Sequence, residues 1–155
     1  MRYWLIKSEP DAYSIDDLER DGTEHWDGVR NYQARNIMRD EMTVGDRVLF
    51  HHSNAKPPGV AGIAEVASGP YPDHTQFDPE SNYFDETSDP ADPRWIMVDV
   101  RFVEKFPRVV GLPELKKHAA LADMVLLNRS RLSVQPVSKK EFDYIVRLAT
   151  RPAQK

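Results

Sequence analysis

Two short stretches of this 155-residue chain are dense in side chains that recognise rather than fill space. The first is Trp26-Asp27-Gly28-Val29-Arg30-Asn31-Tyr32-Gln33-Ala34-Arg35-Asn36, and the second is Arg129-Ser130-Arg131-Leu132-Ser133-Val134-Gln135-Pro136-Val137. Each is rich in such groups: Arg and Gln occur in both, Asn31 and Asn36 in the first, Ser130 and Ser133 in the second, and the first adds Trp26 and Tyr32. A base held between an aromatic face and directed hydrogen-bond donors needs this mixture. Asn31 and Asn36 can offer paired donor and acceptor edges. Arg129 and Arg131 bracket Ser130 and can reach a phosphate in bidentate fashion. Ser53 and Asn54 follow an expected strand, where loop residues can converge on a pocket. A plainer reading stands beside this one: a polar turn leading into a helix, and an edge strand.

The elements that must position these groups are legible in outline. Tyr3-Trp4-Leu5-Ile6 predicts a strand that Pro10 stops. Ser14 with Asp17 predicts a capped helix that frays near Gly22, with Tyr13 and Leu18 as its staple. Residues 23–30 read as a loop presenting His25 and Trp26. Residues 31–42 predict a helix: Ala34, Ile37, Met38 and Met42 face a core, while Tyr32, Arg35 and Arg39 form an outer stripe. Residues 47–53 and 60–67 predict a hairpin with a wide, proline-rich tip. Residues 68–94 read as a long loop, functional by its length, that packs partly onto the body through Tyr71, Phe77, Tyr83 and Phe84. Trp95–Val103 is the clearest strand. In 131–137, Leu132 and Val134 share one face and Arg131, Ser133 and Gln135 the other. Ser138 and Glu141 cap a last helix that buries Phe142, Ile145, Val146 and Leu148. Strands with short helices and no regular alternation predict an α+β fold, a small curved sheet or barrel.

The composition bounds the function. An apolar fraction of 40% and a charged fraction of 30% are those of one soluble domain, expected over 1–150 with a tail at 151–155. No apolar run is long enough to span a membrane, and cysteine is absent, which excludes disulfides and thiolate chemistry. The net charge is −4, but residues 73–93 hold seven acids and no Lys or Arg. The rest of the chain carries 18 acids against 21 bases, so a local basic face is possible. An acidic loop also opposes indiscriminate phosphate binding, which suits a selective reader.

Catalytic and metal chemistry find little support. His51 and His52 are adjacent on a strand, point to opposite faces, and cannot easily share an ion. No Gly-x-Ser-x-Gly elbow, Gly-x-Gly-x-x-Gly run or P-loop occurs. Neither a metal nor a cofactor is expected. Two other readings stay open: an enzyme using the same pocket, with His25 and Glu65 the first residues to inspect, and a protein-interaction module using the acidic 73–93 loop.

At these residues the chain resembles the EVE domain family. The matching stretches are Tyr3-Trp4-Leu5-Ile6-Lys7-Ser8-Glu9-Pro10, Trp26 to Asn36, Gly45-Asp46, His52-Ser53-Asn54, Gly62-Ile63-Ala64-Glu65-Val66, Trp95 to Val100, and Arg131 to Val137. They run in order through nearly the whole chain. The resemblance implies a PUA-like curved mixed β-barrel with short peripheral helices, and kinship with YTH domains, whose aromatic cage reads a methylated adenine. It implies a non-catalytic reader of a modified base flipped into a pocket, with modified cytosine in DNA ahead of RNA. Trp26 best matches the first cage aromatic. The second comes from the loop after the hairpin, among Tyr71, Phe77, Tyr83 and Phe84, with Tyr71 placed in the pocket. The expected pocket is therefore Trp26, Asn31, Tyr32, Ser53, Asn54, Tyr71 and Ser133, with Arg30, Arg35, Arg129 and Arg131 at phosphates. Trp26→Ala is expected to abolish discrimination with the fold intact. A monomer is expected, in the cytoplasm.

Overall fold

The computed structural model describes residues 1–129 and 131–150, so the expected tail lies outside the described residues. The elements run β1 (Tyr3–Ser8), α1 (Ile15–Asp21), β2 (Thr23–His25), α2 (Tyr32–Asp40), β3 (Arg47–His52), β4 (Gly59–Val66), β5 (Tyr71–Pro72), β6 (Ile96–Met97), β7 (Asp99–Gly111), α3 (Leu112–Leu115), α4 (Val125–Asn128), β8 (Val134–Val137) and α5 (Lys139–Ala149). Among the described residues, six strands form one curled sheet in the order β2-β7-β4-β3-β1-β8. β1 and β3 are parallel and the other pairs antiparallel, so the sheet is mixed. It closes only half a barrel, with β2 and β8 at its ends. The curl has a local cause: the pairing of β4 with β7 shifts register twice, at Val60/Gly62 and Ile63/Ala64, and bulges of this kind bend a strand and raise its twist.

Both faces of the sheet are covered, which is why β1 buries three residues in a row, Trp4, Leu5 and Ile6. Trp4, Ile6, Val48, Phe50, Ala64 and Val66 pack on one side with Ile15 and Leu18 of α1 and Ala34 and Met38 of α2. Leu5, Leu49, Val60 and Ile63 pack on the other with Phe142, Ile145 and Leu148 of α5. α1 is held by the expected box: Ser14 Oγ accepts from the Asp17 amide at 3.1 Å, and the Asp17 carboxylate accepts from the Ser14 amide at 2.8 Å. Asn31 caps α2, its side-chain oxygen accepting from the Ala34 amide at 3.0 Å. Among the described residues no helix is long and apolar enough to cross a membrane.

Three expectations change. Residues 23–25 are not loop but an edge strand, pairing Thr23 with Arg101 and His25 with Asp99; three polar residues carry no readable alternation. The strand expected over 95–103 breaks at Val98 and then runs on from Asp99 to Gly111. Pro107 is tolerated there because it falls in the gap between the Lys105 and Val110 pairings with β4. Gln135 does not face outward. It is 0% exposed, and its amide donates to the Leu132 carbonyl at 2.7 Å, because the second face of β8 is also buried.

Candidate functional site

The end of β1, the loop after β2 and the long 68–94 loop meet around a cavity of about 620 Å³. Trp26 is fixed there by its amide, which donates to the Val98 carbonyl at 2.8 Å. Its ring lies edge-on to Phe50 at 5.5 Å and Tyr13 at 6.3 Å, and is 9% exposed. Most of the indole is therefore core, and the rest lines the cavity together with Tyr13 and Tyr83.

Tyr83 is held against the cavity by a chain of contacts that starts at a glycine. Gly28 has φ +80°, and a Cβ built there would lie 2.6 Å from Tyr83 Cζ. Only glycine supplies both the backbone conformation and the room for the ring. Arg30 donates twice to the Tyr83 carbonyl, at 3.1 and 2.8 Å, and its guanidinium lies 5.5 Å from the Tyr83 ring centre. Asp73 secures the other end. Its carboxylate accepts from the Gly28 amide at 2.8 Å, from Arg30 at 3.0 Å, and from the Thr75 amide at 2.8 Å. Burial alone would raise the Asp73 pKa; the hydrogen bonds from Thr75, Gly28 and Arg30 outweigh it and hold the group below its ordinary value.

The polar lining is rich in acceptors. Glu9 accepts from Asn54 Nδ2 at 2.6 Å, and Glu24 accepts from the His25 amide at 2.9 Å. Glu24 also lies 3.0 Å from His25 Nδ1, and the His25 ring packs edge-on against His74. Asp27, the third carboxylate of the lining, makes no hydrogen bond among the described residues. Lys7, Ser8 and Ser133 supply donors, and burial lowers the Lys7 pKa. An aromatic floor with acceptors and donors at its walls suits a flat heterocycle that carries an amine. Among the described residues no group of three or more His, Asp or Glu could hold a metal ion.

Two smaller clefts flank the start of α2. One, of about 270 Å³, is lined by Asn31, Gln33, Asn128, Arg129, Arg131 and Leu132. The other, of about 360 Å³, lies between Tyr32, Arg35 and Arg39 on one side and Asp89, Asp92 and Arg94 on the other.

The model of the EVE domain family matches residues 2–148 of this chain. The chain belongs to the EVE domain family. It is 42% identical to human thymocyte nuclear protein 1, over 94% of this chain and 73% of that protein. Among solved structures it is similar to the human THYN1 protein in complex with 5-methylcytosine-containing DNA, at 41% identity and a TM-score of 0.94, over 99% of this chain and all of that one. A hypothetical protein from Leishmania major is 53% identical, with a TM-score of 0.93 over 96% of this chain and 94% of that one.

The EVE fold distributes the residues singled out in the sequence over several places. Trp26, Arg30 and Ser133 line the main cavity. Asn31, Arg129 and Arg131 line the 270 Å³ cleft instead. Tyr32 and Arg35 line the other cleft, where Tyr32 stacks on Trp95 at 5.0 Å and Arg35 lies over Tyr32 at 4.8 Å. Arg35 also donates to the Arg94 carbonyl and to Asn36, so it braces the loop and is not free for a phosphate. Arg30 is corrected in the same way, since Asp73, Thr75 and the Tyr83 carbonyl take its donors. Ser53 hydrogen-bonds His51 Nδ1, and Asn54 reaches the rim only by holding Glu9. Tyr71 turns away to bond Asp99, and Tyr83 is the loop aromatic at the cavity. Trp26→Ala is not a neutral probe, because Trp26 is part of the core. Glu65, set aside for catalysis, pairs with Arg101 and does not line the cavity. The acids of the long loop largely fold that loop: Asp85, for one, accepts from Thr87 and Trp95, which draw its pKa down to about 2. Asp27 and Tyr13 line the cavity as well, although by sequence Tyr13 is expected only as a helix staple and Asp27 has no expected role. Asp27 had one available signal, an acid between an aromatic residue and a glycine in an otherwise cationic segment.

Proposed function

We propose that this EVE domain reads a modified base in DNA, foremost 5-methylcytosine, by taking the flipped base into the 620 Å³ cavity beside Trp26 and Tyr83. The observation that carries the reading is the whole-chain likeness to the human THYN1 protein in complex with 5-methylcytosine-containing DNA. The cavity supports it independently. Extrusion of a base costs a few kcal/mol. Stacking on an aromatic ring returns about 1–3 kcal/mol. A methyl group in an apolar slot adds about 1–3 kcal/mol more. Asp27 has the chemistry to accept from the exocyclic amine of cytosine, and among the described residues it has no protein donor to give up first. The role is binding without turnover. The name of the thymocyte nuclear relatives favours a nuclear address over the expected cytoplasmic one wherever the cell has a nucleus.

The test is a titration of short duplexes and RNAs carrying cytosine, 5-methylcytosine, 5-hydroxymethylcytosine or N6-methyladenine, with the parent protein and with Asp27→Ala. The parent should favour the 5-methylcytosine duplex. Asp27→Ala should fold normally and bind that duplex about 5- to 150-fold more weakly, the penalty expected for removing one carboxylate acceptor from cytosine. Equal or absent binding to every oligonucleotide would refute the reading.

A further inference from the structure

We infer that the 270 Å³ cleft beside the cavity is a phosphate seat that grips the DNA backbone on one flank of the flipped base; this rests on the reading just proposed. The lining is Asn31, Gln33, Asn128, Arg129, Arg131 and Leu132, which is two guanidinium groups, three amides and no carboxylate. That is unusual in a chain with 25 acids and a net charge of −4. Asn128 spends its amide hydrogens on the Ala122 and Met124 carbonyls, but the other donors are available. Arg131 is exposed and makes no hydrogen bond or ion pair among the described residues. Among the described residues Arg129 is aimed by one side-chain hydrogen bond, Nη2 to Gln33 Oε1 at 2.8 Å. Asn31 uses its oxygen to cap α2, and this leaves its amide hydrogens to donate outward.

The cleft and the cavity share a narrow ridge. Arg30 lines the cavity and Asn31 the cleft; Ser133 lines the cavity and Leu132 the cleft. Consecutive Cα atoms are about 3.8 Å apart, so a base in the cavity brings its own backbone to the cleft. The 360 Å³ cleft is a poorer seat although it holds three arginines. Asp89 and Asp92 line it as well, Arg39 is paired with Asp40, and Arg94 with Asp85. The cavity lining itself carries Glu9, Glu24 and Asp27, and of the two clefts that flank the start of α2 only the 270 Å³ one is lined without a carboxylate.

The experiment measures binding of the parent, Arg129→Gln/Arg131→Gln and Gln33→Ala to 5-methylcytosine and cytosine duplexes from about 50 to about 200 mM salt. The double variant should lower the log–log salt slope by about 1.5–2, one unit or slightly less for each phosphate that is no longer neutralised. It should weaken both duplexes by the same factor and leave the ratio between them unchanged. Gln33→Ala keeps both charges and should cost only a few-fold, with the slope retained. A scan of uncharged methylphosphonate linkages should weaken the parent on one flank of the modified base and leave the double variant indifferent. An unchanged salt slope, or a scan that is equal on both flanks, overturns the seat. A parent that binds both duplexes alike, while the slope still falls in the double variant, overturns base reading and keeps the seat.

Discussion

Gly28→Ala tests the construction of the site most directly, because one methyl group strikes both the backbone and the Tyr83 ring. At φ +80° an alanine is strained by about 1–2 kcal/mol. The new Cβ would also lie 2.6 Å from Tyr83 Cζ and 2.7 Å from Cε2, so the ring has to move away. Its interaction with the Arg30 guanidinium at 5.5 Å, worth about 0.5–1 kcal/mol at an exposed site, then goes too. The sum is about 1.5–3 kcal/mol, which lowers Tm by about 3–12 °C in a chain of this size. The binding penalty is separate: a displaced Tyr83 forfeits about 1–3 kcal/mol of stacking, or about 5- to 150-fold in affinity for a 5-methylcytosine duplex. The decisive measurement is a double-mutant cycle with Tyr83→Ala, read by urea unfolding and by DNA titration. In the Tyr83→Ala background Gly28→Ala should cost only its backbone strain and should leave affinity untouched. If Gly28→Ala costs the same in both backgrounds, the claim that the glycine exists to seat Tyr83 is refuted.

Two further perturbations address the supports of the site and a neighbouring buried group. Asp73→Asn removes the carboxylate that receives Gly28, Arg30 and Thr75, and strands a half-buried guanidinium; urea unfolding should show a loss of about 3 kcal/mol. A loss below about 1 kcal/mol would mean that the loop does not hang on this residue. His51 is buried, its Nε2 has no partner among the described residues, and burial lowers its pKa from 6.5 to about 4. The unfolded chain binds the proton more tightly, so the contribution of His51 is complete above about pH 6.5 and declines as pH falls towards about 4, by about 3 kcal/mol in all. His51→Leu should flatten the pH dependence of unfolding in that window, and an unchanged profile would disprove the assignment.

Local signals were readable wherever partners are close in sequence. Ser14 and Asp17, or Ser138 and Glu141, satisfy each other across three residues, and both capping boxes form. The periodicity of Ala34, Ile37 and Met38 likewise placed them in the core. The site was legible as a region but not as a set of contacts. Arg30 has the composition of a phosphate ligand until Asp73, 43 residues away, comes to meet it. Tyr71 and Tyr83 are equal candidates by type. What separates them is that one bonds Asp99 while the other lies on a glycine 55 positions earlier in the chain. Gln135 misled for a related reason: alternation along β8 separates two faces, but only the packing of α5 and its neighbours makes both of them interior.

The division of labour between cavity and cleft has a consequence for selectivity. Stacking on an aromatic ring returns about what extrusion of a base costs, so the cavity is close to neutral for an unmodified base. A small number of phosphate contacts adds affinity that is equal for every sequence and that salt removes. The carboxylates of the cavity lining and of the long loop keep the backbone term small. The deciding quantity is then the roughly 1–3 kcal/mol that a modification adds inside the cavity, about 5- to 150-fold in occupancy. A protein with a broad basic face would submerge that difference beneath nonspecific binding. Here the acid-free cleft beside the cavity is small enough to leave it visible, so the net charge of −4, which at first argues against a nucleic-acid partner, works in favour of a selective one.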